Sequence, residues 1–185
     1  MWHRMARCFT FYVDCKPLAD IINGKSPLHD CTDLEPCMAR ITNRLFHLVD
    51  SNWTAPSITG DPITWVRRHN NLVADHLVNY TMDLRESWTK LIQPPGMARD
   101  IGACNFVCHS DGGTRGADCS AAAWVIEAVV QEGDCRLTFP IAMAGTFMSP
   151  AIHSFKAEAI ALDQVTTALA RLVHGCTDGT PQSTD

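Results

Sequence analysis

Positive charge is scarce in this chain. Lysine and arginine total 15 against 20 acidic residues, a formal net charge of −5. A protein that grips nucleic acid by charge alone would be basic. Any such contact is therefore expected to be weak and local, or supported by other segments of a larger assembly. No apolar run reaches the roughly 18 residues a transmembrane helix takes, so no membrane partner is expected. The start, Met1 to Cys8, is basic but has no long apolar stretch behind it, so a secretory signal is not expected either. Internal repeats are absent. A paired disulfide set is also missing: the 9 cysteines are an odd number, and several lie inside apolar runs. They read as reduced, mostly buried thiols of an intracellular protein, with nucleus or cytoplasm left open. Cys104-x3-Cys108-His109 resembles a zinc run, but it falls in an expected strand, where alternation separates neighbouring ligands, and no second pair has finger spacing. Asn52-Trp53-Thr54 and Asn79-Tyr80-Thr81 are glycosylation sequons, read here as chance matches.

What is present suits one domain. The chain has 185 residues, 46% of them hydrophobic, enough for one real core and little more. Phe9 to Val13 is rich in aromatic and β-branched residues and reads as a strand. Pro17 opens a short helix that Gly24 ends. From Asp33 to Val49, Leu34, Met38, Ile41, Leu45 and Leu48 recur at three- and four-residue steps and predict a helix. Ser51 to Asp61 reads as loop and Pro62 to Val66 as a short strand. A helix follows from Asn71, with Val73, Leu77, Tyr80 and Leu84 expected on its buried face. Residues 85–103, with Pro94-Pro95-Gly96, read as a linker. Strands are then expected over Cys104–Ser110, Ser120–Val130 and Arg136–Ala144, the last two joined by a hairpin at Gln131 to Asp134. A long helix from Ala151 carries Ile152, Phe155, Ala159, Leu162, Leu169 and Val173 on one face. Residues 174–185 are polar and expected to be disordered. Trp65 and Trp124 are expected in the core.

Four carboxylates stand out on these elements. Asp111 lies in His109-Ser110-Asp111-Gly112-Gly113-Thr114, where the plain alternative is a turn aspartate after a strand. Glu158 follows Phe155 by three residues and precedes Leu162 by four. That spacing puts it on the buried helix face, where a carboxylate is costly unless paired or bound to a metal, the plain alternative being a flank glutamate that reaches solvent. Asp14, after an apolar strand, has the plain alternative of a helix N-cap. Asp75, in the first turns of a helix, is favoured there by the helix dipole whatever its function. Arg67 and Arg68 precede that helix, as a solvated loop or as phosphate contacts, and Asn71 is expected to order the loop. Clustered carboxylates would repel one another and call for hard cations, Mg²⁺ with Mn²⁺ as a substitute.

Each of the four motifs resembles one carboxylate motif of the type 1 ribonuclease H family, in an unusual order. The elements read β-α-α-β-α, linker, β-β-β-α. Rotated to begin at Cys104 they become β-β-β-α-β-α-α-β-α, the ribonuclease H succession. The run Val66-x-Arg68-x-x-Asn71-x-x-Ala74-Asp75 is similar to the plant and retroelement variety, and the basic protrusion of the bacterial form is missing from the short stretch Lys25 to Thr32. The resemblance implies an α/β fold with a mixed five-stranded sheet and helices on both faces, circularly permuted. It implies one domain over 8–173: residues 8–84 match the family's C-terminal half, 85–103 form the linker, and 104–173 match its N-terminal half. The linker could span roughly 60 Å fully extended, so reach does not limit closure. It further implies that Asp111, Glu158, Asp14 and Asp75 hold two ions about 4 Å apart, which activate a water and steady the leaving 3′ oxygen. Asp111 would bridge both ions, Glu158 and Asp14 would hold one, and Asp75 the other. His69, or His76, would be a mobile loop histidine assisting proton transfer or product release. The implied partner is an RNA–DNA hybrid whose RNA strand is cut. A monomer is expected, with a swapped dimer as the alternative if the chain is a piece of a tandem polyprotein. The other reading is an inactive scaffold or nucleic-acid-binding module, which the acidic net charge favours and the presence of all four carboxylates opposes.

Overall fold

Alternation decides the centre of the sheet. Strand β1 (Cys8–Val13) buries Phe9, Phe11 and Val13 completely and leaves the residues between them half-exposed, the period of two that a pleated strand imposes. The computed structural model describes residues 8–28, 32–50, 61–92, 105–132 and 135–174. After β1 come helix α1 (Lys16–Ile22), a single 3-10 turn (Thr32–Leu34), helix α2 (Glu35–Asp50) and strand β2 (Ile63–Trp65). A second 3-10 turn (Arg68–Asn70) leads to helix α3 (Leu72–Leu84). Strands β3 (Trp88–Leu91), β4 (Asn105–Arg115), β5 (Cys119–Glu132) and β6 (Cys135–Met148) follow, and helix α4 (Ser154–His174) comes last.

The strands form one mixed sheet in the order β2-β1-β4-β5-β6-β3. The pairs β2–β1 and β1–β4 are parallel; β4–β5, β5–β6 and β6–β3 are antiparallel. On one face Phe9, Phe11, Phe106 and Cys108 join Leu18 of α1, Ile41, Leu45 and Leu48 of α2, and Leu162 and Leu169 of α4 in the main core. On the other face Val78 and Met82 of α3 rest on Cys119, Ala121 and Ala123 of β5. Helices therefore cover both faces. Arg40 and Arg44 of α2 both bond Asp163 and tie α2 to α4. Among the described residues, no helix is long and apolar enough to cross a membrane.

Several expectations need correction. The sheet has six strands, because Trp88–Leu91 lies inside the segment read as a linker and pairs with β6. Three of its four residues are exposed; only Trp88 reaches inward, to bond Thr81 Oγ1 at 3.0 Å. Strand β4 does not stop at Ser110. It runs through Asp111-Gly112-Gly113 to Arg115, with Asp111 opposite Ala123. The face of α3 is turned: Ala74, Val78, Thr81 and Met82 are buried, while Val73, Tyr80 and Leu84 stay largely in solvent and Leu77 is at the margin. The helix lies on a floor of small residues, where Val78 and Thr81 approach Gly113 and Gly145 closely, so short side chains win the inner positions. Helix α4 starts at Ser154; Ile152 precedes it, bonded through its backbone to Ser120 and Thr114. The face expected for α2 is buried as the spacing requires, and on α4 Ala159, Leu162, Leu169 and Val173 are buried while Phe155 is only partly so. The tail after 174, the loop 51–60, Pro94-Pro95-Gly96, Gly133-Asp134, Cys31, Cys104 and Cys176 lie outside the described residues.

Candidate metal centre

Strands β1 and β4 run parallel with Val13 opposite Ser110. One residue further on, each carries an aspartate, Asp14 and Asp111. Asp14 is not a helix cap: Cys15 stands at the N-cap of α1 and no side chain caps it. The backbone of Asp14 is held from β2. Its carbonyl accepts the Trp65 indole N–H at 3.0 Å, and the Val13 carbonyl accepts the Val66 N–H at 2.9 Å. Trp65 is thus not a core residue; it is 43% exposed and serves as a clamp on this turn. Trp124 is buried as expected.

Asp111 is wholly buried, and its Oδ1 accepts the N–H of Gly112 at 2.8 Å. Gly112 is what admits the third carboxylate. A Cβ there would lie 2.1 Å from the backbone nitrogen of Glu158 and 2.2 Å from the carbonyl carbon of Ala157, so only glycine lets α4 sit this close to β4. Glu158 is 8% exposed, on the inner side of α4 as its spacing predicts. Ligand oxygens of Asp14, Asp111 and Glu158 all fall within 4.8 Å of one another. Asp14 Oδ1, Asp111 Oδ2 and Glu158 Oε2 are buried with no hydrogen-bond partner among the described residues. An open pocket of about 440 Å³ over them is lined by Asp14, Cys15, Arg68, Ser154, Phe155 and Glu158.

This cluster cannot hold all its charge unaided. Burial, and then the charge of Asp14, push the Asp111 carboxyl up to about 7. Burial, then the charge of Asp111 and a hydrogen bond shared with it, push Glu158 up to about 10. Burial likewise pushes the Cys15 thiol up to about 11, so it is no thiolate nucleophile. Three carboxylates with unpartnered oxygens fit a cation, which favours the ionised forms that burial disfavours. The donors are all hard oxygens, which suits Mg²⁺ or Mn²⁺ over zinc.

The remaining sequence candidates lie around this triad. Asp75, in the first turn of α3, is not one of the three that share the 4.8 Å cluster. Arg68 connects it: the Arg68 Nε stands 3.5 Å from Asp14 Oδ2 and 3.2 Å from Asp75 Oδ1. His69 follows Arg68 in the exposed 3-10 turn, and His76 is exposed on α3. Asn71 orders the loop, as expected, but from a buried position. Its Nδ2 donates to the Ser110 carbonyl at 3.0 Å, and its Oδ1 lies 3.2 Å from Nδ1 of His109. It thereby fastens the start of α3 to the strand that carries Asp111. Arg68 is a position of the Val66 to Asp75 run, read there as a solvated loop residue or phosphate contact; its bridge between two carboxylates and the clamp of Trp65 had no signal in the sequence.

No family model matches this chain, and no curated protein matches it.

Proposed function

We propose that this protein is a divalent-metal-dependent endonuclease that hydrolyses the RNA strand of RNA–DNA hybrids, built as a circularly permuted type 1 ribonuclease H domain. The observation that carries the reading is the meeting of Asp14, from one half of the chain, with Asp111 and Glu158, from the other, with ligand oxygens within 4.8 Å. The resemblance requires that convergence, whereas chance acids have no reason to collect where β1 leaves its parallel partner β4. The order of the elements, rotated by one cut, supports the same reading; β3 is an addition to it.

In this reading Asp14, Asp111 and Glu158 hold Mg²⁺, and Asp75 completes the acidic site on the α3 side. The ion would supply Lewis-acid stabilisation of the charge that develops on phosphoryl oxygens during an in-line displacement. Gly112 sets how closely Glu158 approaches, Trp65 fixes the turn that bears Asp14, and Asn71 fixes the loop that bears Arg68. Arg68 brings positive charge to the mouth of the site, where a phosphate would lie. Selection of RNA would come from 2′-hydroxyls in the hybrid minor groove. The net charge of −5 fits a weak, salt-sensitive grip.

The test is cleavage of a labelled hybrid by the purified protein, with Mg²⁺ or Mn²⁺, beside Asp111→Asn. Internal cuts confined to the RNA strand, abolished by the substitution, are expected. An intact hybrid, or cutting that survives the loss of Asp111, removes the enzyme reading. Mass measured on the active species separates a permuted monomer from a swapped dimer of polyprotein fragments.

A further inference from the structure

We infer that Arg68 is a tethered cation standing where a second metal ion would otherwise bind, so that the protein without nucleic acid takes up one divalent ion, not two. The inference rests on the metal-centre reading above and concerns a residue that reading leaves with only a general role at the mouth of the site.

Asp14 divides its oxygens between two neighbourhoods. Its Oδ1 is buried and unpartnered, and one of its oxygens lies within 4.8 Å of those of Asp111 and Glu158, where an ion fits. Its Oδ2 faces the Nε of Arg68, and the same nitrogen serves Asp75. The gap between Asp14 and Asp75 therefore already holds a positive charge. A guanidinium stays protonated throughout the working pH range, so this charge is permanent. A second dication entering there would lose part of its carboxylate ligation to Arg68 and meet its repulsion. The position is built: Arg68 opens the 3-10 turn that ends at Asn71, and Asn71 is buried and bonded to the Ser110 carbonyl. The arm itself is free to move, since the side chain of Arg68 is 69% exposed. It leaves the gap when a stronger acceptor arrives, and a phosphate, which takes guanidinium groups in bidentate fashion, is such an acceptor. Arg68 thus makes occupation of the Asp75 side depend on the nucleic acid.

Counting bound Mn²⁺ per chain tests this without any nuclease assay, by loss of the free-ion electron paramagnetic resonance signal in the absence of nucleic acid. The wild-type protein is expected to bind one ion. Arg68→Gln and Arg68→Ala are each expected to bind two, Arg68→Lys one, and Arg68→Gln combined with Asp75→Asn one again. Two ions in the wild type, or one in both neutral variants, overturns the inference and leaves the proposed function standing. No ion in any of these proteins overturns both.

Discussion

Replacing Gly112 by alanine is a perturbation whose size can be worked out from the backbone alone. The added Cβ would sit 2.1 Å from the nitrogen of Glu158 and 2.2 Å from the carbon of Ala157. Carbon atoms rest at about 3.5–4.0 Å, so α4 and β4 must separate by about 1.5 Å. Both obstructing atoms are main chain of a helix that also packs on α2, and neither can turn aside. Overpacking costs about 1–3 kcal/mol; Gly112→Ala belongs at the upper end, about 3 kcal/mol. With a urea m-value of about 2 kcal/mol per molar, the unfolding midpoint drops by about 1.5 M. Glu158 retreats with the helix, and in the proposed nuclease a misplacement of this order would cost about 100-fold in rate. Gly113→Ala is the internal control. Its Cβ meets Val78 Cγ1 at 2.8 Å and Met82 Cε at 3.5 Å, both side-chain atoms; Met82 can swing aside, while the β-branched Val78 on its helix has to shift. Alanine in a strand also recovers about 0.5–1 kcal/mol lost by glycine, which offsets part of that strain, so this variant should lose less than Gly112→Ala. Equal midpoints for Gly112→Ala and wild type, or a larger loss from Gly113→Ala, would refute the close-approach argument.

Three further outcomes follow from the same geometry. In chelator, Asp111 and Glu158 keep protons that the unfolded chain sheds near pH 4; their contribution to stability is therefore fully present below that pH and is lost as pH rises through about 7 for Asp111 and toward 10 for Glu158. The melting temperature of wild type relative to Glu158→Gln should accordingly fall between pH 5 and 8, and saturating Mg²⁺ should flatten the trend; a rising difference contradicts the charge assignment. Asn71→Ala leaves buried partners on Ser110 and His109 and should lower unfolding free energy by about 1–3 kcal/mol, read in urea, with hybrid cleavage falling as well because the Arg68 turn is released. Asp163→Asn removes the charge and one of the two oxygens that Arg40 and Arg44 share; because Arg40 is half-exposed the loss should be about 1 kcal/mol or less and should shrink in 1 M salt, which a pair of melts at two salt concentrations reads directly.

The parts of the fold legible in the sequence are those where burial alone dictates the pattern. The face of α2 and the alternation of β1 are read directly, because both bury large apolar residues on one side. Strand β3 was illegible for the opposite reason. It buries almost nothing, and edge pairing with β6, a tertiary contact, makes it a strand. The face of α3 was misread because its floor is alanine and glycine, so fit, not hydrophobicity, chose Ala74 and Thr81 over Val73 and Tyr80. The end of β4 was misread because Gly112-Gly113 looked like a turn. Successive residues of a strand face opposite sides. Gly112 accordingly receives α4 on one face and Gly113 receives α3 on the other. For the site, Asp14, Asp111 and Glu158 were legible as motif residues; Arg68 as the bridge and Trp65 as the clamp were not, since each depends on contacts across the sheet.

The two residues that most violate local rules are the two that meet. Glu158 puts a carboxylate on the inner stripe of an amphipathic helix, and Asp111 puts one in the middle of a central strand followed by two strand-weakening glycines. Each choice alone lowers stability, and in their ionised forms the two repel. A fold selected for stability would place apolar groups of similar volume here, since unpaired buried carboxylates cost several kcal/mol each. The cost is not confined to the acids: Gly112 gives up strand propensity so that the helix can bring Glu158 closer to Asp111, which makes the repulsion worse. Every one of these departures becomes favourable at once if a divalent cation sits among the three oxygens that have no partner. Violations that cancel one another under a single added charge argue for that charge more strongly than any one residue does, and they do so independently of the order in which the chain supplies them.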